Sequence, residues 1–140
     1  MKLKICLLIS FFTCFAMYAQ KIDITGEWTM YEMTWTTPDG VNTTTQDQMK
    51  EQGMMTDHYM MPDGSFKLVS NMTGSGQMET VEGTWKLEGD KLTYSLLIGE
   101  RMMDMTWDFT YDDGVYHLKR SAPDGSATVV NSFKPKESAD

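Results

Sequence analysis

The feature that most restricts this sequence is a strict alternation of apolar and polar residues over three successive runs in its second half. Over residues 80–87, Val81, Gly83, Trp85 and Leu87 share one face, and Thr80, Glu82, Thr84 and Lys86 the other. In the next run Leu92, Tyr94, Leu96 and Ile98 oppose Lys91, Thr93, Ser95 and Leu97. Met103, Met105, Trp107, Phe109 and Tyr111 then oppose Asp104, Thr106, Asp108 and Thr110. Successive side chains of a strand point to opposite faces, so a period of two sustained this long means strands with one buried and one wet face. Residues 116–120 and 129–133 continue the pattern more weakly.

Turn signals punctuate these runs. Pro38-Asp39-Gly40, Pro62-Asp63-Gly64 and Pro123-Asp124-Gly125 repeat one tripeptide, and Asp112-Asp113-Gly114 is a close variant. Proline presets the second position of a tight turn, and glycine takes the left-handed position that follows. Glu88-Gly89-Asp90 and Thr73-Gly74-Ser75-Gly76 are weaker signals of the same kind.

In the first half, Phe66, Leu68 and Met72 alternate with Lys67, Val69 and Asn71, and Tyr59 and Met61 are assigned to a preceding strand. The first run, 26–37, is apolar on both faces, with Trp28 and Met30 on one and Tyr31, Met33 and Trp35 on the other. A β-bulge or a cover over the outer face would explain this. Residues 46–53 hold good helix formers ending in glycine, which predicts a short helix or a polar loop. The whole predicts an all-β chain of eight or nine strands, an antiparallel up-and-down meander closing into a barrel and so losing its edges. A two-sheet sandwich is the alternative.

The N-terminus reads as a targeting segment. Lys2 and Lys4 precede a mostly apolar run at 5–15, shorter than the roughly 20 residues a membrane span needs, and Ala16-Met17-Tyr18-Ala19 offers a cleavage site before Gln20. The expectation is a cleaved signal peptide over 1–19, export to the periplasm or medium, and a single domain over 20–140 whose tail, 134–140, is loose. Both cysteines, Cys6 and Cys14, leave with the leader, so the mature chain has no disulfide and depends on an apolar core. The formal charge of −8 becomes more negative once Lys2 and Lys4 are gone. That balance argues against nucleic acid and anionic membrane surfaces as partners.

Gly26-Glu27-Trp28 opens the first strand soon after the leader, Gly83-Thr84-Trp85 repeats the pattern in mid-chain, and hairpins run on to Phe133. In these features the chain resembles a small secreted bacterial lipocalin-like protein, a calycin-type barrel. The resemblance implies that Gly26 and Trp28 order the closed base of the barrel, with a late basic side chain lying across the indole. Arg120 is the position assigned to that role, with Arg101 as the alternative. It also implies a cup for a small apolar molecule.

The inward face supplies the candidate ligand-lining residues: Met30, Tyr59, Phe66, Leu68, Trp85, Tyr94, Leu96, Met103, Met105, Trp107, Phe109 and Tyr116. An eight-stranded barrel is only just wide enough to be filled by its side chains or to hold one small ligand, so a cavity and a solid core both remain open. Glu32 shares parity with Trp28 and Met30, and a lone buried carboxylate is costly, so it is expected to pair with Arg120 or Arg101.

All but Met1 and Met17 of the 14 methionines fall after the leader. The groups Met54, Met55, His58, Met60, Met61 and Met102, Met103, Met105 make Cu(I) binding a minor alternative, because thioethers and imidazole are ligands for it. Only His58 and His117 are available as an imidazole base, and no nucleophile elbow, zinc helix or phosphate loop occurs. Each histidine is read as exposed or as hydrogen-bonded structure.

The functional expectation is therefore an exported, monomeric, non-enzymatic protein that needs no cofactor, does not stay inserted in a membrane after cleavage, and binds a small hydrophobic molecule. The rival is a solid barrel serving as an interaction module through an outward patch of Tyr31, Met33 and Trp35.

Overall fold

The computed structural model describes residues 21–72 and 76–138. The predicted leader, and most of the turn expected at 73–76, lie outside the described residues. Among the described residues nine strands follow one another: β1 (Gly26–Thr37), β2 (Gly40–Thr45), β3 (Thr56–Met60), β4 (Ser65–Ser70), β5 (Glu79–Glu88), β6 (Lys91–Ile98), β7 (Arg101–Asp112), β8 (Val115–Ser121) and β9 (Thr128–Pro135). One helix, α1 (Gln46–Glu51), stands between β2 and β3.

Every pairing is antiparallel, and β1 closes on β9. The result is an eight-stranded barrel with β2 as an additional strand. On its other side β1 pairs first with β3 (Gly26 to Thr29) and then with β2 (Glu32 to Thr37). The up-and-down barrel read from the alternation is correct, and the sandwich is not formed.

Turn chemistry places the hairpins. Gly64 and Gly125 take φ of 87° and 71°, and Asp113-Gly114 takes two positive φ values in succession, 51° and 78°. The Asp63 and Asp124 carboxylates accept the backbone N–H groups of Ser65 and Ser126 at 2.8 and 2.9 Å, bracing the turns from within. Helix α1 begins with a capping box. The Thr45 side chain accepts from the Gln48 N–H, and the Gln48 side chain accepts from the Thr45 N–H.

A single bulge decides which way the first strand faces. The β1–β9 register shifts between Met30 and Glu32, leaving Tyr31 as the extra residue. Beyond it Met33 and Trp35, not Glu32, continue the inward face begun by Trp28 and Met30. The expected pairing of Glu32 with an arginine is therefore not made. Glu32 is half-buried beside Ser132 on the outer face and forms no ion pair with Arg120 or Arg101 among the described residues.

The base of the barrel is an aromatic plug. Trp28 is buried, its Nε1–H donates to the Ile24 carbonyl at 2.9 Å, and its ring meets Tyr116 edge-on at 4.7 Å. Tyr116 in turn stacks on Phe133 at 4.9 Å. Such pairs contribute about 0.5–1.5 kcal/mol each beyond the area they bury. Arg120 takes no part. Strand β8 runs from base to mouth, so Arg120 stands at the far end, exposed, with its guanidinium 5.8 Å from the Trp107 ring centroid. Arg101, the alternative, opens β7 at that same far end.

The chain end is held more firmly than its composition suggests. Strand β9 continues to Pro135, and the Lys136 N–H donates to the Glu27 carbonyl at 2.9 Å. Lys136 Nζ lies 2.8 Å from Oδ2 of Asp57, which is only 1% exposed, and 2.9 Å from the Tyr59 hydroxyl. Residues 134 and 135 thus belong to the β9 ladder on β1, and Lys136 is a strap reaching the outside of β3, not a loose tail; 139 and 140 lie outside the described residues. The hydrogen bonds to Asp57 and then Tyr59 hold the Lys136 ammonium well above the ordinary lysine range.

At Gly83 the backbones of β5 and β6 leave no room for a side chain. A Cβ there would stand 1.9 Å from the Ser95 carbonyl oxygen, which belongs to the ladder of β6 and cannot swing aside. Gly83→Ala is therefore expected to cost about 1–3 kcal/mol, as overpacking does. The check is a lowered urea midpoint with an unchanged slope.

Candidate functional site

The half of the barrel away from Trp28 contains a cavity of about 350 Å³. Strand β1 contributes Met30, Met33 and Trp35. Strands β3 and β4 contribute Thr56, His58, Phe66, Leu68 and Ser70, with Met72 just beyond. Tyr94, Leu96, Met105, Trp107, Leu118, Asn131 and Phe133 complete the wall from β6 to β9. Trp35 is 45% exposed at the mouth. Among the described residues no charged side chain lines the cavity.

Of the residues expected to line it, Met30, Phe66, Leu68, Tyr94, Leu96, Met105 and Trp107 do so. The others are placed elsewhere. Tyr59 is on the outer face, under the ammonium groups of Lys67 (4.2 Å from its centroid) and Lys136 (5.3 Å), because β3 faces inward through His58 and Met60. Phe109 and Tyr116 are buried but not part of the wall; Tyr116 belongs to the plug that packs on Trp28. Trp85 packs at the side of the core, its Nε1–H donating to the Met61 carbonyl at 3.0 Å. Met103 lies where β7 runs out toward its hairpin tip and is 49% exposed.

The wall includes residues that the alternation did not assign to it, above all His58, Met33, Trp35 and Asn131. Met33 and Trp35 depend on the Tyr31 bulge. His58 depends on the β3–β4 register, which sets it opposite Leu68.

His58 is the most constrained polar group of the site. It is 6% exposed, stacks on Phe133 at 4.2 Å and meets Phe66 and Tyr94 edge-on at 5.2 and 5.4 Å. Its Nδ1 is 3.0 Å from the Tyr116 hydroxyl and 3.3 Å from that of Tyr94, and the two hydroxyls also bond to each other. Burial pushes the imidazole down to about 3, so it is neutral across the physiological range. Burial likewise raises both phenols well above their ordinary value.

Elsewhere on the wall the Thr56 and Ser70 hydroxyls satisfy each other at 2.8 Å, and Ser70 Oγ accepts the Met72 N–H at 3.0 Å. His117, on the outer face, shares a hydrogen with Ser132 Oγ at 2.7 Å.

The methionine groups noted in the sequence are dispersed. Met60 is buried with His58, Met61 and Met102 are exposed, and Met54 packs on the core. Among the described residues no three His, Cys, Asp or Glu side chains converge on a metal position. Met105 of the second group does line the cavity, together with three methionines from other parts of the chain, Met30, Met33 and Met72.

This arrangement is a lipocalin-like fold: a closed antiparallel barrel with a tryptophan at its base and an apolar hollow toward the other end. The chain is similar to a crystal structure of a lipocalin-like protein from Bacteroides uniformis, at 15% identity and a TM-score of 0.51, covering 82% of this chain and all of that one. It is also similar to an uncharacterized protein from Bacteroides eggerthii, at 17% identity and a TM-score of 0.48, covering 81% of this chain and all of the other. A variant of the fluorescent protein UnaG aligns at 11% identity and a TM-score of 0.45, over 82% of this chain and 97% of that one. No protein-family model and no curated protein matches the sequence.

Proposed function

We propose that this chain is an exported binding protein that holds one small, largely apolar molecule inside its barrel, and that it is not an enzyme. The observation that carries the reading is the 350 Å³ hollow, within the range of small-molecule sites and walled mainly by apolar and aromatic side chains with a few polar groups among them. The inward turn of Met33 and Trp35 also supports it. With Tyr31, those two residues would form the outward patch on which a solid interaction module relies. The four lining methionines suit an irregular guest, because the thioether chain is unbranched and polarizable. Export rests on the leader-like features of residues 1–19, and the N-terminal sequence of protein recovered from culture medium or periplasm tests it, Gln20 being the expected first residue.

A neutral, environment-sensitive probe such as N-phenyl-1-naphthylamine is expected to bind with one-to-one stoichiometry and brightened emission. Leu68→Trp, which fills the hollow, should weaken that binding at least tenfold without unfolding the barrel. Equal binding by the filled variant would remove the hollow as the site.

A second reading has one specific observation in its favour. Leu97, Ile98, Met102 and Met103 are all exposed on the β6–β7 hairpin, an apolar tip of the kind that marks a protein contact.

A further inference from the structure

We infer that the cavity is built to receive an uncharged ligand through a carbonyl oxygen, with His58 Nε2–H and the Asn131 amide as the two donors. This rests on the ligand-binding reading above and narrows it to a class of guest.

The first donor follows from counting protons in the buried cluster. Tyr94 and Tyr116 bring two hydroxyl protons, and His58 Nδ1 lies within reach of both oxygens. If Nδ1 carried a proton, three donors would share two phenolic oxygens, and one buried O–H would point at nothing. If Nδ1 is bare, one hydroxyl donates to the other and the second donates to Nδ1, so every proton is placed. Buried polar groups are overwhelmingly paired, which selects the second arrangement. The neutral imidazole then carries its proton on Nε2. That atom has no hydrogen-bond partner among the described residues, and His58 lines the cavity.

The second donor is Asn131. Neither atom of its amide has a hydrogen-bond partner among the described residues, and Oδ1 is shut away from solvent. Since the residue lines the cavity, the Nδ2 group is the end left to face it. The Thr56 and Ser70 hydroxyls already satisfy each other and make no such demand. A hollow with two unused N–H donors and otherwise apolar walls calls for an acceptor on the guest.

The guest's charge follows from what is missing. Among the described residues no cation lines the wall, His58 resists protonation, and a carboxylate drawn inside would lose its water without a counter-charge. Arg120, over Trp107 near the mouth, is the alternative reader of an anion.

The test compares three probes of one shape: benzophenone, diphenylmethane and diphenylacetate, each displacing the naphthylamine. Benzophenone is expected to bind about tenfold more tightly than diphenylmethane, as two modest hydrogen bonds would give. It should also bind more tightly than diphenylacetate. Its carbonyl stretch should move to lower frequency on binding, relative to its value in an alkane solvent. Asn131→Leu and, separately, His58→Phe should abolish both the preference and part of the frequency shift, and the leucine variant covers the case in which the other fails to fold. Equal binding of ketone and hydrocarbon, an unshifted carbonyl, or a preference for the carboxylate that disappears in Arg120→Gln would overturn the inference while leaving a binding barrel intact. Failure of all three probes to displace the naphthylamine would instead overturn the reading beneath it.

Discussion

Lowering the pH from 7 to 4 is expected to remove about 3 kcal/mol of folding stability through His58 alone. Its imidazole titrates at about 3 in the folded barrel against an ordinary 6.5, because burial disfavours the charged form. The folded value is the depressed one, so between those limits the unfolded chain binds the proton and the folded chain does not. Stability therefore rises with pH across that window. The contribution is complete above about 6.5, falls as the solution is acidified, and stops changing below about 3. At about 1.4 kcal/mol per unit, the part of the window above pH 4 gives the stated figure. Exposed carboxylates such as Asp63 and Asp124, held low by their turn hydrogen bonds, add a drift of the same sign. The decisive quantity is thus a difference between variants. Urea unfolding at both pH values should show a markedly smaller loss for His58→Gln than for the parent, and identical losses would mean that this imidazole titrates normally.

The second large effect concerns the strap. Lys136→Met is expected to destabilise the protein by about 2–4 kcal/mol, because it leaves the Asp57 carboxylate buried without its cation. The lower part of that range allows for the partial exposure of the lysine. Among the described residues neither Asp57 oxygen has a hydrogen-bond donor of good geometry, so the ion pair with Lys136 is what offsets the burial of this carboxylate. Adding Asp57→Asn to the lysine variant should restore much of the loss, a coupling that a double-mutant cycle measures directly. Simple additivity of the two changes would show that the pair contributes nothing as a pair.

The sequence carried the architecture well where periodicity was clean. Strands β5 to β7 alternate without interruption, and their inner faces hold Leu92, Tyr94, Leu96, Met105, Trp107 and Phe109 as the pattern requires. Two local irregularities hid part of the rest. The Tyr31 bulge reverses parity inside β1, and its only trace in the sequence is a strand apolar on both sides. In β3 the side chains of Asp57, His58 and Tyr59 give no apolar rhythm, and hydrophobicity alone favours Tyr59 as the inward residue. The hairpin turn at Pro62-Asp63-Gly64 held the missing information. It sets Met60 opposite Phe66 and His58 opposite Leu68, and cross-strand partners share a face. Arg120 departs from expectation for a third reason: the resemblance implies a place across the indole at the base, whereas the direction of β8 sends its last residues to the mouth. The strap could not be read at all, since it depends on a lysine meeting a carboxylate far away in the chain.

The most direct test of the central claim uses the methionines themselves. With their methyl groups labelled with carbon-13, the two-dimensional NMR spectrum should change on saturation with the naphthylamine probe. The account predicts that the signals of Met30, Met33, Met72 and Met105, which line the hollow, shift together, while exposed Met78 and Met102 and the helix residue Met49 stay in place. Shifts confined to Met78 or Met102, with the four lining signals unmoved, would contradict it and put any binding on the outside of the barrel.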